Sequence, residues 1–349
     1  MRQTLMAFVI LAAASPVHAG LYVPGEEPEL VARDGKEIEM PFDQFRLRLA
    51  ELKAIPVTPP DSPLRKAYLK RRADLESRRL ERLSVQEMIS LGECQVRLGD
   101  LNNSFFTYHL AATREPRNFL AQSGLAAVRQ MRGELREARE AQIDALMLRP
   151  SELPGMTKAQ TAWMLRVEKV FGELQRGQIK ELLEKTPLQQ LSVDNLFRVQ
   201  FVGPSGGYEA GTIAPDEKAK LPADAVAVVQ QLILWYPFDA RIYWLLGELY
   251  NANGQMREAL AIFKECMDRG FRTEPLKEHP LIVEEKLKQV AAAEKQKQIE
   301  EEEKQFSKHP EILWAVGGIG GVAILLLVLW QVRIFWRRAA TGGKQMPKR

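Results

Sequence analysis

The sequence predicts a mainly α-helical solenoid of stacked helix hairpins, and three observations carry that prediction. Residues 85–152 repeat at an interval of 34 positions: Gly133 follows Gly99, Pro150 follows Pro116, Leu125 follows Leu91 and Ala145 follows Ala111. The same pattern of small and large apolar residues recurs at 240–273. Most of the remaining chain carries helical periodicity, and only one short stretch alternates like a strand. A repeat of this length marks paired-helix units that bury their apolar faces by stacking on one another. Such an array offers another polypeptide a concave surface.

Length and composition fit that class. The chain has 349 residues, enough for one long domain or two. It is 46% hydrophobic and 27% charged, which excludes wholesale disorder. The net charge is only +4, and the tail holds Arg333, Arg337, Arg338, Lys344, Lys348 and Arg349 with no acidic residue among them. Nucleic-acid binding is therefore not expected. The two cysteines, Cys94 and Cys266, fall at small apolar positions in separate units and read as buried free thiols.

The ends of the chain predict placement. Met1-Arg2, the apolar run Leu5–Ala14 and Val17-His18-Ala19 read as a secretory signal, residues 1–19, cut after Ala19. Near the other end, Ile312–Val332 carries no charge, and about 20 such residues cross a hydrocarbon core. Trp314 and Trp330 sit near the two ends of this run, which we bound at 311–332, and Trp336 lies just beyond it. The basic tail, 333–349, stays on the cytoplasmic side by the positive-inside rule. A single-pass membrane protein follows, with its large N-terminal region outside the cytoplasm, in the periplasm if the chain is bacterial as the style of the signal suggests. Gly317 and Gly321 form a small-xxx-small pair that would let two such helices pack as a homodimer.

Between the ends, residues 20–84 begin as an acidic, Pro/Gly-containing extended lead-in. Phe42, Phe45, Leu49 and Leu52 then mark a short amphipathic helix, ended by the Pro-rich stretch Pro56–Pro63. Leu64–Leu83 is a charged helix whose run Lys70-Arg71-Arg72 reads as a solvated face. Residues 85–118 and 119–152 are the two aligned units. Each has a small residue at its eighth position (Gly92, Ala126), a turn glycine (Gly99, Gly133), a small residue at its twentieth (Ser104, Ala138) and a closing proline (Pro116, Pro150). Small residues at the eighth and twentieth positions let the two helices cross closely. Residues 153–222 are less regular, with a helical face over Thr161–Leu183. Phe197–Val202 and Tyr208–Ile213 flank Gly203-Pro204-Ser205-Gly206-Gly207 and predict a small β-hairpin inserted in the solenoid. Residues 223–237 resemble the second helix of a further unit ending at Pro237, so 223–273 form the C-terminal units. Residues 274–310 form a stalk, with the charged stretch Leu281–Lys308 predicting a long exposed helix; its apolar positions are too sparse for a sustained coiled-coil seam.

In the unit 240–273, Tyr243, Leu246, Gly247, Tyr250, Gly254, Ala259 and Phe263 occupy the fourth, seventh, eighth, eleventh, fifteenth, twentieth and twenty-fourth positions. This segment resembles a tetratricopeptide repeat (TPR), and the two earlier units resemble degenerate ones. Cys266, Phe271 and Gln142 depart from that pattern. The resemblance implies helical hairpins and protein binding, with no cofactor. It places a groove along the first helix of each unit. Carried over residue by residue, the lining is Arg241, Trp244, Glu248 and Asn251 in the best-matching unit and Gln86, Ile89, Glu93 and Arg97 in the first.

Motifs for catalysis are not evident. His109, His279 and His309 lack a second histidine or cysteine at metal-ligand spacing, and there is neither a Gly-x-Ser-x-Gly elbow nor a His-Glu-x-x-His helix. The expected function is that of a non-enzymatic scaffold, anchored in the lipid bilayer, holding another protein or peptide in its groove. The alternative is an accessory hydrolase or cell-envelope-modifying protein with its site in residues 153–222, which a carboxylate of raised pKa there would favour.

Overall fold

The computed structural model describes residues 30–57, 62–187, 191, 196–271, 273–308, 327 and 329–333. The chain divides into two compact units, residues 1–285 and 286–349. The described residues are mainly helical, built from repeated helix-against-helix packing, and contain no β-strand. The elements are α1 (Phe42–Ala54), α2 (Pro63–Glu76), a 3-10 turn (Leu80–Arg82), α3 (Val85–Arg97), α4 (Leu101–Arg114), α5 (Phe119–Met131), α6 (Leu135–Leu148), α7 (Lys158–Glu184), α8 (Pro215–Lys218), α9 (Ala225–Trp235), α10 (Ala240–Ala252), α11 (Met256–Asp268) and α12 (Glu274–Lys308).

Three hairpins, α3/α4, α5/α6 and α10/α11, are turned by the same device. Gly99, Gly133 and Gly254 take φ of +82°, +78° and +81°. That left-handed conformation suits a residue without Cβ. After each glycine the next N–H reaches back to close the first helix: Asp100 to the Gln95 carbonyl at 2.8 Å, Glu134 to Arg129 at 2.9 Å and Gln255 to Tyr250 at 2.9 Å. This back-bonding satisfies carbonyls that a helix end would otherwise leave orphaned. Starts are equally explicit. Ser84 and Glu87 form a reciprocal capping box on α3, as Thr157 and Gln160 do on α7.

The helices of a hairpin close on small residues. Ser104, Ala126, Ala138 and Ala259 are fully buried. Gly92 lies under the Tyr108 ring and Gly247 under the Phe263 ring, so tightly that a Cβ would stand 2.6 Å and 2.5 Å from ring carbons. Tyr108 and Phe263 are equivalent positions in their units, so one packing solution appears twice. In the middle hairpin that position is Gln142, which is buried and donates from Nε2 to Glu168 Oε2 on α7 at 2.6 Å. The departure in sequence thus becomes a polar bridge to the next helix.

The lead-in is pinned to the helices. The Met40 backbone exchanges two hydrogen bonds with the Gln230 side chain, at 2.9 and 2.8 Å, and Thr157 Oγ1 donates to the Arg33 carbonyl at 2.7 Å. Val31 and Glu37 form a single antiparallel bridge.

The expected β-hairpin at 197–213 is not there. The segment forms no strand: beside isolated backbone bonds such as Gly203 N–H to Gly207 (2.7 Å) and Ala214 N–H to Val202 (2.8 Å), side chains hold its backbone, with Gln200 N–H donating to Glu217 (2.8 Å), Ser205 N–H to Glu209 (2.9 Å) and Gly211 N–H to Asn251 (2.7 Å). Val199 and Ile213 are buried with Ala252, beside Phe197, Phe201 and Leu221. The alternation in the sequence therefore records a strap with alternate residues tucked inward, not a paired strand.

The α12 helix starts earlier than its charged sequence suggests and runs through Pro280. Thr273 Oγ1 accepts from Leu276 N–H, and Leu276 and Val283 are completely buried, so packing holds turns that proline would otherwise weaken. In the second unit the helical residues 291–300 are all exposed. No helix among the described residues is long and apolar enough to cross a membrane. The signal segment 1–19, Gly317, Gly321 and most of the run 311–332 lie outside the described residues; within that run, Leu327 and residues 329–332 are helical and exposed.

Candidate functional site

All the groove positions carried over from the repeat pattern, except the exposed Gln86, are buried inside the fold. Arg241 forms a two-pronged ion pair with Glu181 of α7. Trp244 donates from its indole to Glu248 at 2.8 Å and packs against Phe271, with ring centroids 6.0 Å apart. Glu248 is fully buried, and its second polar neighbour is His279 Nδ1 of α12 at 2.6 Å. His279 in turn stacks on Tyr208 of the strap at 3.5 Å, with the rings nearly parallel. Burial, with the adjacent Glu248 carboxylate, pushes the Tyr208 phenol well above its ordinary range. Asn251 grips the strap from both sides, accepting from Gly211 N–H and donating to the Glu209 carbonyl at 3.0 Å.

The first unit is filled in the same way. Ile89 is buried, and Glu93 and Arg97 form an ion pair at 3.0 Å with both side chains almost wholly out of solvent. Arg97 Nη1 also donates to the Leu234 carbonyl of α9 at 3.2 Å. The inward face expected to stand open for a partner is thus occupied by α7, α9, the start of α12 and the strap. The physical reason is that Arg241, Glu248 and Arg97 are charges that this chain itself neutralises or hydrogen-bonds, as buried charges require.

Elsewhere an open space remains. A cavity of about 430 Å³ lies where the ends of α1, α3 and α5 meet the turn between α9 and α10. Its wall is mostly apolar, with Leu52, Val96, Leu101, Trp235 and Phe238 prominent, and Arg97, Gln130 and Asp239 supply its polar groups. Burial raises the Asp239 carboxyl above its ordinary range, against the lowering effect of the Arg241 N–H it accepts at 3.0 Å. Gln130, Met131 and the turn 235–239 were not singled out by the repeat pattern. Of that turn the sequence marked only Pro237, as the end of a helix.

In residues 153–222, hydrogen bonds from Ser205 hold the Glu209 carboxyl below its ordinary range, and Lys220 with the Gln200 N–H does the same for Glu217. Both serve as acceptors for local backbone. Among the described residues no group of three or more His, Cys, Asp or Glu stands together as a metal site. Cys94 and Cys266 are free and buried. Exposed His109 stacks on Phe105 at 5.7 Å, and His309 lies outside the described residues.

No protein-family model matches the chain, and no curated protein is similar to it.

Proposed function

We propose that this protein is a non-enzymatic TPR-type scaffold, held at the extracytoplasmic face of a membrane by the apolar run 311–332 and carrying a short cytoplasmic tail. The observation that carries the reading is the threefold recurrence of one hairpin, with the same glycine turn at Gly99, Gly133 and Gly254 and the same ring-on-glycine contact at Gly92–Tyr108 and Gly247–Phe263. Stacked hairpins of this kind work through surface rather than through a reaction centre. The partner binds where the chain leaves apolar space open, and not along the positions already filled by α7, α9, α12 and the strap. The signal 1–19 and the charge-free run 312–332 support the placement.

The test uses reporter fusions in a bacterial host. Alkaline phosphatase joined after Lys308 is expected to be active, and joined after Arg349 inactive. Activity at both or neither junction overturns the topology. Site-specific photo-cross-linking from Leu101 in intact membranes is expected to give one stoichiometric adduct; its absence overturns the scaffold role.

A further inference from the structure

We infer that the outward face of α4, from Asn102 to Arg114, docks a segment of a partner protein that carries both apolar side chains and carboxylates. The inference rests on the scaffold reading for the existence of a partner, and adds where that partner sits and what chemistry it presents.

Comparison of the three hairpins in register singles this face out. The second helices α4, α6 and α11 place residues 101–113, 135–147 and 256–268 at equivalent positions. Over that stretch α6 carries Arg136, Glu137, Arg139, Glu140 and Asp144, and α11 carries Arg257, Glu258, Lys264, Glu265 and Asp268. Those are the charges that the solvent side of an amphipathic helix ordinarily bears. Residues 101–113 contain no Asp, Glu, Lys or Arg. Asn102, Phe106, His109 and Thr113 face solvent there, with Phe105 and Leu110 half-buried beside them. Phe106 is 63% exposed. A single exposed ring is ordinary, but this one is not isolated. Phe105 lies edge-on to it at 5.7 Å between centroids and stacks on His109, also at 5.7 Å. Contiguous rings on an uncharged exposed face are the kind of patch that marks a protein contact.

The arginines around the rings decide what the partner carries. Arg132 lies over Phe105, its guanidinium 4.4 Å from the ring centroid, and is held by Asn102 at 3.2 Å and Glu134 at 2.6 Å. The Phe105 ring is thereby fixed before a partner arrives, which reduces the ordering cost of docking. Arg129 approaches the same ring at 5.8 Å and donates to the Glu137 carbonyl at 3.1 Å. Arg114, in line with Phe106 and Leu110, donates to the Leu83 and Glu81 carbonyls at 2.9 Å each. Among the described residues neither Arg114 nor Arg129 forms an ion pair with a carboxylate. Two uncompensated positive charges beside an apolar strip fit a segment with apolar groups at its centre and carboxylates at its edges. A second copy would bring a like-charged rim against this one. A bilayer would have to take the Arg132 guanidinium, which lies on the ring, out of water.

The test places the photo-reactive residue p-benzoylphenylalanine at Phe106 of the full-length protein in intact membranes. A control places it at Ile143, the exposed residue of α6 that matches His109. An adduct with a different protein is expected from Phe106, at least about tenfold stronger than from Ile143. Mass spectrometry of the cross-linked peptide should show a segment with more Asp and Glu than Lys and Arg, and with aromatic or aliphatic side chains. Arg129→Glu should cut the adduct by about tenfold or more, while Arg129→Lys, which keeps the charge, largely preserves it. Circular dichroism and melting of both purified variants check that they fold. Salt gives a reading that needs no variant: raising it from about 50 to about 500 mM in solubilised membranes should weaken the adduct by about threefold or more. A basic or neutral segment, or an adduct indifferent to salt, overturns the charge assignment. Cross-linking to lipid or to a second copy overturns the protein partner, and equal yield from Ile143 overturns the surface. An adduct from Leu101 with none from Phe106 overturns this face and leaves the scaffold reading in place. Adducts from neither overturn both.

Discussion

Tyr108 offers the sharpest test of how the hairpins stack. Its ring is wedged between two helices: a Cβ built on Gly92 would stand 2.6 Å from Cε2, and one built on Gly124 would stand 2.0 Å from Cε1 and 2.5 Å from Cζ. The ring cannot retreat from Gly124 because the Gly92 backbone lies behind it. Helix propensity alone says that Gly124→Ala should stabilise by about 0.5–1 kcal/mol. Overpacking says the reverse, with a cost of about 1–3 kcal/mol or more when the neighbour cannot move. A methyl 2.0 Å from a fixed ring is far inside van der Waals contact, so the steric effect prevails and the net loss is about 1–2 kcal/mol. For a folded region of this size that lowers Tm by roughly 2–8 °C. Thermal melts of the purified chain followed by far-UV circular dichroism measure it. In a Tyr108→Leu background the same Gly124→Ala change should become neutral or stabilising. A rise in Tm for Gly124→Ala in the parent would refute the wedge.

Other consequences are equally accessible. Lys185 ends α7 with φ of +53°, so Lys185→Gly relieves a left-handed residue and should raise Tm slightly; a fall in calorimetry refutes this. Ser84→Ala removes one half of a capping box and should cost about 0.5–2 kcal/mol in denaturant titrations. Hydrogen bonds from the Ser84 backbone and from Arg78 depress the Glu87 carboxyl from 4.5 to about 2. Its contribution is therefore present above pH 4.5 and lost as pH falls towards 2, and Arg78→Ala, which removes the side-chain donor while the Ser84 N–H remains, should lessen the change in stability over that window. Burial pushes the Cys266 thiol up to about 12, and its Sγ lies 3.1 Å from the Ala240 carbonyl. Iodoacetamide at neutral pH should therefore label neither cysteine until the chain is unfolded, as mass spectrometry can show. Since the folded state keeps that proton between pH 9 and about 12 while the unfolded chain releases it, stability should fall as pH rises through that range.

The local architecture was legible because its determinants are local. Gly99, Gly133 and Gly254 mark the turns, and Gly92, Ser104, Ala138 and Ala259 mark where helices cross. A period in the sequence carries such information directly. It says nothing about what fills the inward face. Trp244, Glu248 and Arg241 had the composition of a peptide-binding surface, but His279 and Glu181 come from elements outside the repeats, and Phe271 stands where the unit departs from its pattern. The strap failed as a strand for a related reason. Val199 and Ile213 alternate inward, but the hydrogen bonds come from Asn251 and Glu217, and side chains at that remove leave no periodic trace.

One contact also constrains how this chain can evolve. Positions 92, 108 and 124 share a single small volume. Enlarging either glycine favours a slimmer side chain in place of the ring, and either step alone costs stability. Orthologous chains should therefore vary at these three sites in concert, and a set in which they drift independently would mean that the three helices meet differently there.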